Sequence, residues 1–465
     1  MRSACVALVP FLFLVGPQPC DARTWTDDSG VFTVEADLVE IVGERVRLRR
    51  TDGNVITVPI AKLSDADRQY LRTLEHDDGD GAAGAQATGA RAVRRALTQP
   101  TTLDFIDTPL EDVADYLADL HGIDVVVDRP AMRKDGMKAE MPVTASISER
   151  PLAEALDQLL AQAGLAWLIH HDVLWITTPT IAEDILETQF YRLRKPAALD
   201  DVVRDITQNI APSGWSDVGG MASIGPVPLT GTYHGLLIAA PFQVHRQIER
   251  HYTELIEPVT GKPVKLPKTV ASTTVAEGLA APITLEFVET PLADAVEYLG
   301  KVGGVPITID PRSDTGDTRV TIHASGVPLE SALSLMLHET PFTWKVVNDR
   351  VVVGRPEAVP DNLVLGAYEV DPLKYQGKLT HVAVALQHTV EQAGWDRVGG
   401  PGSLREGVRG TLDVRQTYAV HRTIAALLGD MLEAAQRRAA GAGAPFRQNP
   451  RPPFPPGFGG GQGVF

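Results

Sequence analysis

The chain repeats itself. TTLDFIDTPLEDVADYLADLHGIDVVVD (Thr101–Asp128) aligns without a gap with ITLEFVETPLADAVEYLGKVGGVPITID (Ile283–Asp310) at an offset of 182 residues. The likeness continues past Pro151 and Pro328 at an offset of 177, and GWSDVGG from Gly214 answers GWDRVGG from Gly394 at 180. Val244-His245-Arg246 answers Val420-His421-Arg422 at 176. The offset changes only between periodic segments, where loops absorb length. A duplicated unit of roughly 160 residues restricts the chain to a fold that can be built twice from small modules.

Each unit has readable periodicity. TLDF alternates as a strand, and Thr108-Pro109-Leu110-Glu111 predicts a capped helix start with proline at the first helical position. Leu110, Val113, Ala114 and Leu117 form one apolar stripe, and Leu152, Ala155, Leu156, Leu159 and Ala163 form another. With a hairpin turning near His171-Asp172, the order is β-α-β-β-α-β-β, an α+β layer with helices on one sheet face. The second half-unit reads as a strand, a helix from Leu199 to Ile210, the Gly-Trp phrase, a strand pair ending in GLLIAA, and a helix from Pro241 to Leu255.

The L-x-F, TPL and ALDQLLAQAGLAW pattern resembles the short N-terminal domain of secretins and TonB-dependent receptors. The half containing LLIAAPFQVHRQIERHYTELI resembles the KH-like periplasmic domains of secretins. These resemblances imply periplasmic modules that pack against other protein domains. No β-rich pore domain follows, so no pore is implied. Upstream, FTVEADLVEI, RVRLRR and VITVPI read as three strands, and with Trp25, Phe32 and VPIAKLS-x-x-D they resemble the Sla-homology domain. That family implies a small SH3-like β-barrel that binds short peptides, with Trp25 and Phe32 as contact candidates.

The expected organisation is a signal peptide at 1–22, the Sla-homology domain at 23–74 and a linker at 75–96. Two tandem copies of a module pair follow, 97–183 with 184–257 and 277–360 with 361–438, joined by a linker at 258–276 that permits independent motion. A disordered Gly/Pro tail occupies 439–465.

MRSACVALVPFLFLVGPQPCDA has the layout of a secretory leader cleaved near Ala22. Both cysteines, Cys5 and Cys20, lie within it, so disulfides and thiol chemistry are excluded from the mature chain. The net charge of −16 argues against nucleic acid. No later segment is apolar for long enough to insert stably in a membrane. The expected location is therefore secreted or periplasmic.

No phosphate loop, G-x-G-x-x-G or G-x-S-x-G motif is present. His170 and His171 should point to opposite faces at a hairpin tip, and His245 and His421 read as solvated or capping residues. Asp201, Asp205, Glu249 and Glu254 read as solvated helix residues. No catalytic residue, cofactor or metal is therefore assigned. The repeated corners, Trp215 with Gly219 and Gly220, and Trp395 with Gly399 and Gly400, read first as turns. They are also candidate protein contacts, as are Phe454 and Phe458 in the proline-rich tail. These readings converge on an exported, non-enzymatic protein-interaction scaffold of the cell envelope, docking to secretion or transport machinery, with protein partners and self-association. The rivals are a wall-glycan binder using its tryptophans and a hydrolase with a cleft site.

Overall fold

A computed structural model describes residues 23–26, 33–42, 45–50, 55–59, 62–64, 67, 89–194, 198–228, 234–370, 379–408 and 410–441. The architecture is mixed α+β, with several small sheets and no closed barrel among those residues. The chain divides into two units, Met1–Thr88 and Gly89–Phe465.

In the first unit, β1 (Arg23–Thr26), β2 (Thr33–Val42), β3 (Arg45–Arg50) and β4 (Val55–Pro59) pair antiparallel in chain order. β1 pairs with β2 and β4 with β3, so the described residues of this unit form a four-stranded sheet with no closed barrel among them. Trp25 lies in β1 opposite Val34. Phe32, Phe454, Phe458 and residues 1–22 lie outside the described residues.

The second unit begins α1 (Ala90–Leu97), β5 (Pro100–Pro109), α2 (Leu110–His121), β6 (Val125–Val127), α3 (Arg129–Lys134), β7 (Pro142–Pro151), α4 (Leu152–Gln162), β8 (Ala166–His170), β9 (Val173–Thr177). β5 pairs with β7, and β6-β9-β8 form a separate sheet. Instead of lying on one face of a single sheet, α2 and α4 pack against strands of both. β5 is amphipathic, with Leu103 and Phe105 inward, whereas β9 is buried throughout. The stripe Leu110, Val113, Ala114 and Leu117 is buried, and Gly122 ends α2 in the left-handed region. The capping box does not form: Thr108 and Pro109 belong to the strand, and no side chain caps the helix.

The chain continues through α5 (Pro179–Asp184), β10 (Leu186–Leu193), α6 (Leu199–Asn209), β11 (Ser223–Pro228), β12 (His234–Pro241), α7 (Phe242–His251) and β13 (Ile256–Pro258), with sheet order β11-β12-β10-β13. Next come α8 (Thr273–Ala280), β14 (Pro282–Pro291), α9 (Leu292–Gly303), β15 (Ile307–Ile309), β16 (Arg319–Pro328), α10 (Leu329–Leu337), β17 (Thr343–Val347) and β18 (Arg350–Gly354). β14 pairs with β16, and β15-β18-β17 form a sheet. Last are β19 (Val364–Glu369), α11 (Leu379–Thr389), β20 (Ser403–Glu406), β21 (Thr411–Gln416) and α12 (Tyr418–Gly441), with sheet order β19-β21-β20.

β12 is buried from Gly235 to Ala240 because both of its faces are covered. Leu236, Ile238 and Ala240 pack with Val202, Ile206 and Ile248 of their own half. Leu237 packs with Phe190, Val227 and the α11 and α12 residues Leu386 and Leu428. The segment read as a free linker is docked: Val259 N–H donates to the Phe190 carbonyl, Val264 N–H to that of Ala425, and Val270 and Ala271 are buried. Independent motion of the two halves is thereby corrected to one packed unit.

Candidate interaction surfaces

The repeated corner is built from backbone geometry. Each indole N–H donates to a carbonyl five residues earlier, Trp215 to Ile210 at 2.8 Å and Trp395 to Val390 at 2.6 Å. Gly219 and Gly399 have φ of 92° and 93°, a region that disfavours side chains. A Cβ on Gly220 would lie 2.1 Å from the Gly214 carbonyl carbon, and one on Gly400 2.3 Å from that of Gly394. Trp215 and Trp395 are only 2% and 1% exposed, which corrects them as contact residues. The solvent-facing points of the two corners are Val218 and Val398, 66% and 65% exposed, which sequence reading missed.

A second set of exposed apolar side chains recurs in both halves. Ladder shifts between Phe105 and Thr108, and between Phe287 and Thr290, form bulges. Within them Ile106 and Val288 are 76% and 68% exposed. Tyr116 and Leu120, one turn apart on α2, are also exposed, as are their counterparts Tyr298 and Val302 on α9. Phe105 holds the Tyr116 ring edge-on at 5.5 Å, and Phe287 holds Tyr298 at 5.6 Å. Exposed Asp112, Asp115 and Asp119 share the helix of the first patch, whereas the second has Asp294 and a Glu297 that is paired with exposed Lys301, the residue in the place of Asp119. The signal was available in sequence: Tyr116 and Leu120 are apolar residues lying off the buried stripe of their own helix.

The histidines depart from expectation. His245 and His421 are buried rather than solvated, because each bridges a tyrosine and a strand carbonyl. His245 Nδ1 lies 2.8 Å from Tyr191 Oη and Nε2 2.8 Å from the Glu187 carbonyl. His421 Nδ1 lies 2.8 Å from Tyr368 Oη and Nε2 2.9 Å from the Val364 carbonyl. A carbonyl only accepts, so Nε2 donates to it and Nδ1 is left to accept from the tyrosine. Burial pulls His245 down to about 4 and lowers His421. Glu249, expected to be solvated, is half-buried beside Tyr191, and burial raises its carboxyl. Asp201, Asp205 and Glu254 are exposed.

A pH dependence follows for His245. It is neutral in both states above pH 6.5, whereas between 6.5 and about 4 the unfolded chain takes a proton that the folded chain refuses. The site's stabilisation is thus fully present above pH 6.5 and falls as pH drops through that window. Imidazole NMR should show His245 neutral at pH 5.5, and His245→Gln should flatten this part of the stability profile.

His170 and His171, expected on opposite faces, have ring centroids 3.9 Å apart because His171 adopts φ 48° in the turn. Among the described residues no group of three or more ligating side chains is arranged for a metal ion. The imidazoles border the joint between halves, where Asp128 Oδ1 meets His338 Nε2 at 2.9 Å and Arg129 bonds Glu339 at 3.3 Å. Asp128 also accepts from Ala131 N–H, Thr177 hydroxyl and the Trp175 indole. Burial pushes its carboxyl up, but the bonds from His338, Ala131 and Thr177 outweigh it and hold it at about 2.

Residues 15–78 match the family model described as SLA1 homology domain 1, SHD1. This chain carries an SLA1 homology domain. Curated relatives, each named actin cytoskeleton-regulatory complex protein sla1, match over 58 residues. Those of Schizosaccharomyces pombe and Mycosarcoma maydis are 38% identical, and that of Sclerotinia sclerotiorum 36%. The match covers 12% of this chain, which spans only 4 to 5% of the relatives' length. A chain of the Salmonella SPI-1 injectisome NC-base matches at 14% identity over 33% of this chain and 92% of that one, with a TM-score of 0.16, too low to carry an argument.

These matches correct the export reading. The SHD1 match begins inside the segment read as a leader, and the relatives are named for cytoskeletal regulation. The signal peptide, the secreted or periplasmic location and the envelope scaffold docking to secretion machinery are withdrawn. The rival readings are not kept either: Trp167, Trp175, Trp215 and Trp395 are buried, which removes them as stacking platforms for a glycan.

Proposed function

We propose that this chain is a non-enzymatic, protein-binding adaptor. It comprises an SH3-like SHD1 module at 23–74, with Trp25 and Phe32 as its contact residues, and two tandem copies of a paired α/β unit at 97–257 and 277–438. The reading is carried by one observation: both copies expose the same apolar trio, Ile106, Tyr116 and Leu120 in one, Val288, Tyr298 and Val302 in the other. Tyrosine anchors with an apolar surround are what binding surfaces use. The acidic rim of the first patch favours an apolar segment flanked by lysine or arginine, whereas Lys301 offsets Glu297 beside the second. The two patches thus share the apolar preference and favour a partner that presents apolar segments twice. That the matched relatives are named for a regulatory complex supports a protein as partner.

A displayed random-peptide library tests this directly. Wild type should enrich basic-flanked apolar peptides, and Tyr116→Ala with Tyr298→Ala should weaken their binding about tenfold or more. Unchanged affinity in the folded double variant would refute the patch assignment.

A further inference from the structure

We propose that the outer sheet face of the second copy is closed to another copy of this chain by the bulk and charge of its side chains. Within the chain, the copies join head to tail. α11 lies across β11 and β12, so close that a Cβ on Gly225 would sit 3.1 Å from Ala385 Cα and Cβ. Ser223 Oγ donates to the His388 carbonyl and Thr188 Oγ1 to that of Thr389, both at 2.7 Å. A head-to-tail join uses different surfaces on its two sides, so each copy carries the surface its neighbour used and nothing in the symmetry ends the series.

The side chains end it. Gly225 pairs in register with Leu237, and the equivalent pair in the second copy is Arg405 with Asp413. Ser223 pairs with Ala239, and its equivalent Ser403 pairs with Arg415. Phe190, buried against α11, is answered by exposed Ala367. Burial shows the same contrast: β12 is covered throughout, while β21 alternates. Arg405 is 76% exposed and bonded to Asp396 at 2.9 Å, and Arg415 donates to the Pro401 carbonyl at 2.9 Å. At the opposite end, exposed Asp201, Arg204 and Asp205 of α6 stand where α11 presents His381, Val384 and Ala385. A further helix could not come as close as α11 does, because Arg405 fills the space that Gly225 leaves beside Ala385. Held further out, it would strip water from two guanidiniums and a carboxylate at a cost that Asp201 and Asp205 would offset only in part. Stacked repeat proteins end in polar faces for the same reason. On this reading the self-association expected from sequence does not run through this face.

Sedimentation velocity of the full chain tests this. Wild type should run at monomer mass at every concentration, whereas a chain that copies the inner joint on both faces, Arg405→Gly/Asp413→Leu/Arg415→Ala with Asp201→His/Arg204→Val/Asp205→Ala, should gain mass with concentration to at least twice that value. A folded six-fold variant that stays at monomer mass overturns the proposal, as does a self-associating wild type. If that variant fails to fold, mixing a chain that carries the three sheet substitutions with one that carries the three helix substitutions should give a dimer peak, and its absence overturns the proposal equally.

Discussion

Asp128→Ala is expected to lower the unfolding free energy of the 89–465 unit by about 3–5 kcal/mol. The carboxylate accepts from Ala131 N–H at 3.0 Å, Thr177 Oγ1 at 2.7 Å, Trp175 Nε1 at 3.3 Å and His338 Nε2 at 2.9 Å. Truncation leaves three buried donors of the first copy and half-buried His338 of the second without their acceptor, and each buried bond left unmade costs more than a made one gains. Its counterpart Asp310 bonds Arg312 on its own loop, so Asp310→Ala should do much less. Urea unfolding of the two variants side by side checks the contrast, and equal losses would show that the joint contributes little.

Gly225→Arg, which writes the outer-face residue into the inner joint, is expected to separate the second halves of the two copies at a cost on the order of 3–5 kcal/mol. The side chain has no space beside Ala385, and among the described residues lining that groove the acidic types are absent. Calorimetry should show the unit melting earlier and in two transitions instead of one. A single transition at the wild-type temperature would mean that the contact with α11 does not couple the copies. Combined with Asp128→Ala, the losses should not simply add, because both substitutions weaken one shared interface.

How much was legible varies by element. The stripe Leu110, Val113, Ala114 and Leu117 was readable because helix period is local. So was the turn at His171-Asp172, though not the ring contact its left-handed backbone imposes. The leader-like composition of residues 1–22 misled, because a short apolar run behind one charge fits more than one context, and the SHD1 match overlaps it. His245 looked solvated because Tyr191, the partner that lets it be buried, lies 54 residues away.

The sequence by itself determined the duplication, the amphipathic strands and helices, and the glycine corners that close at Gly219 and Gly399. These follow from local rules of period, volume and backbone freedom. Only the tertiary structure decided which faces are covered: that β12 is sandwiched while β21 is half open, that Trp215 is hidden while Tyr116 is not, and that the linker is docked. Covering a face requires groups distant in the chain to meet, and which of them meet is set by how whole surfaces fit, a property no local pattern carries.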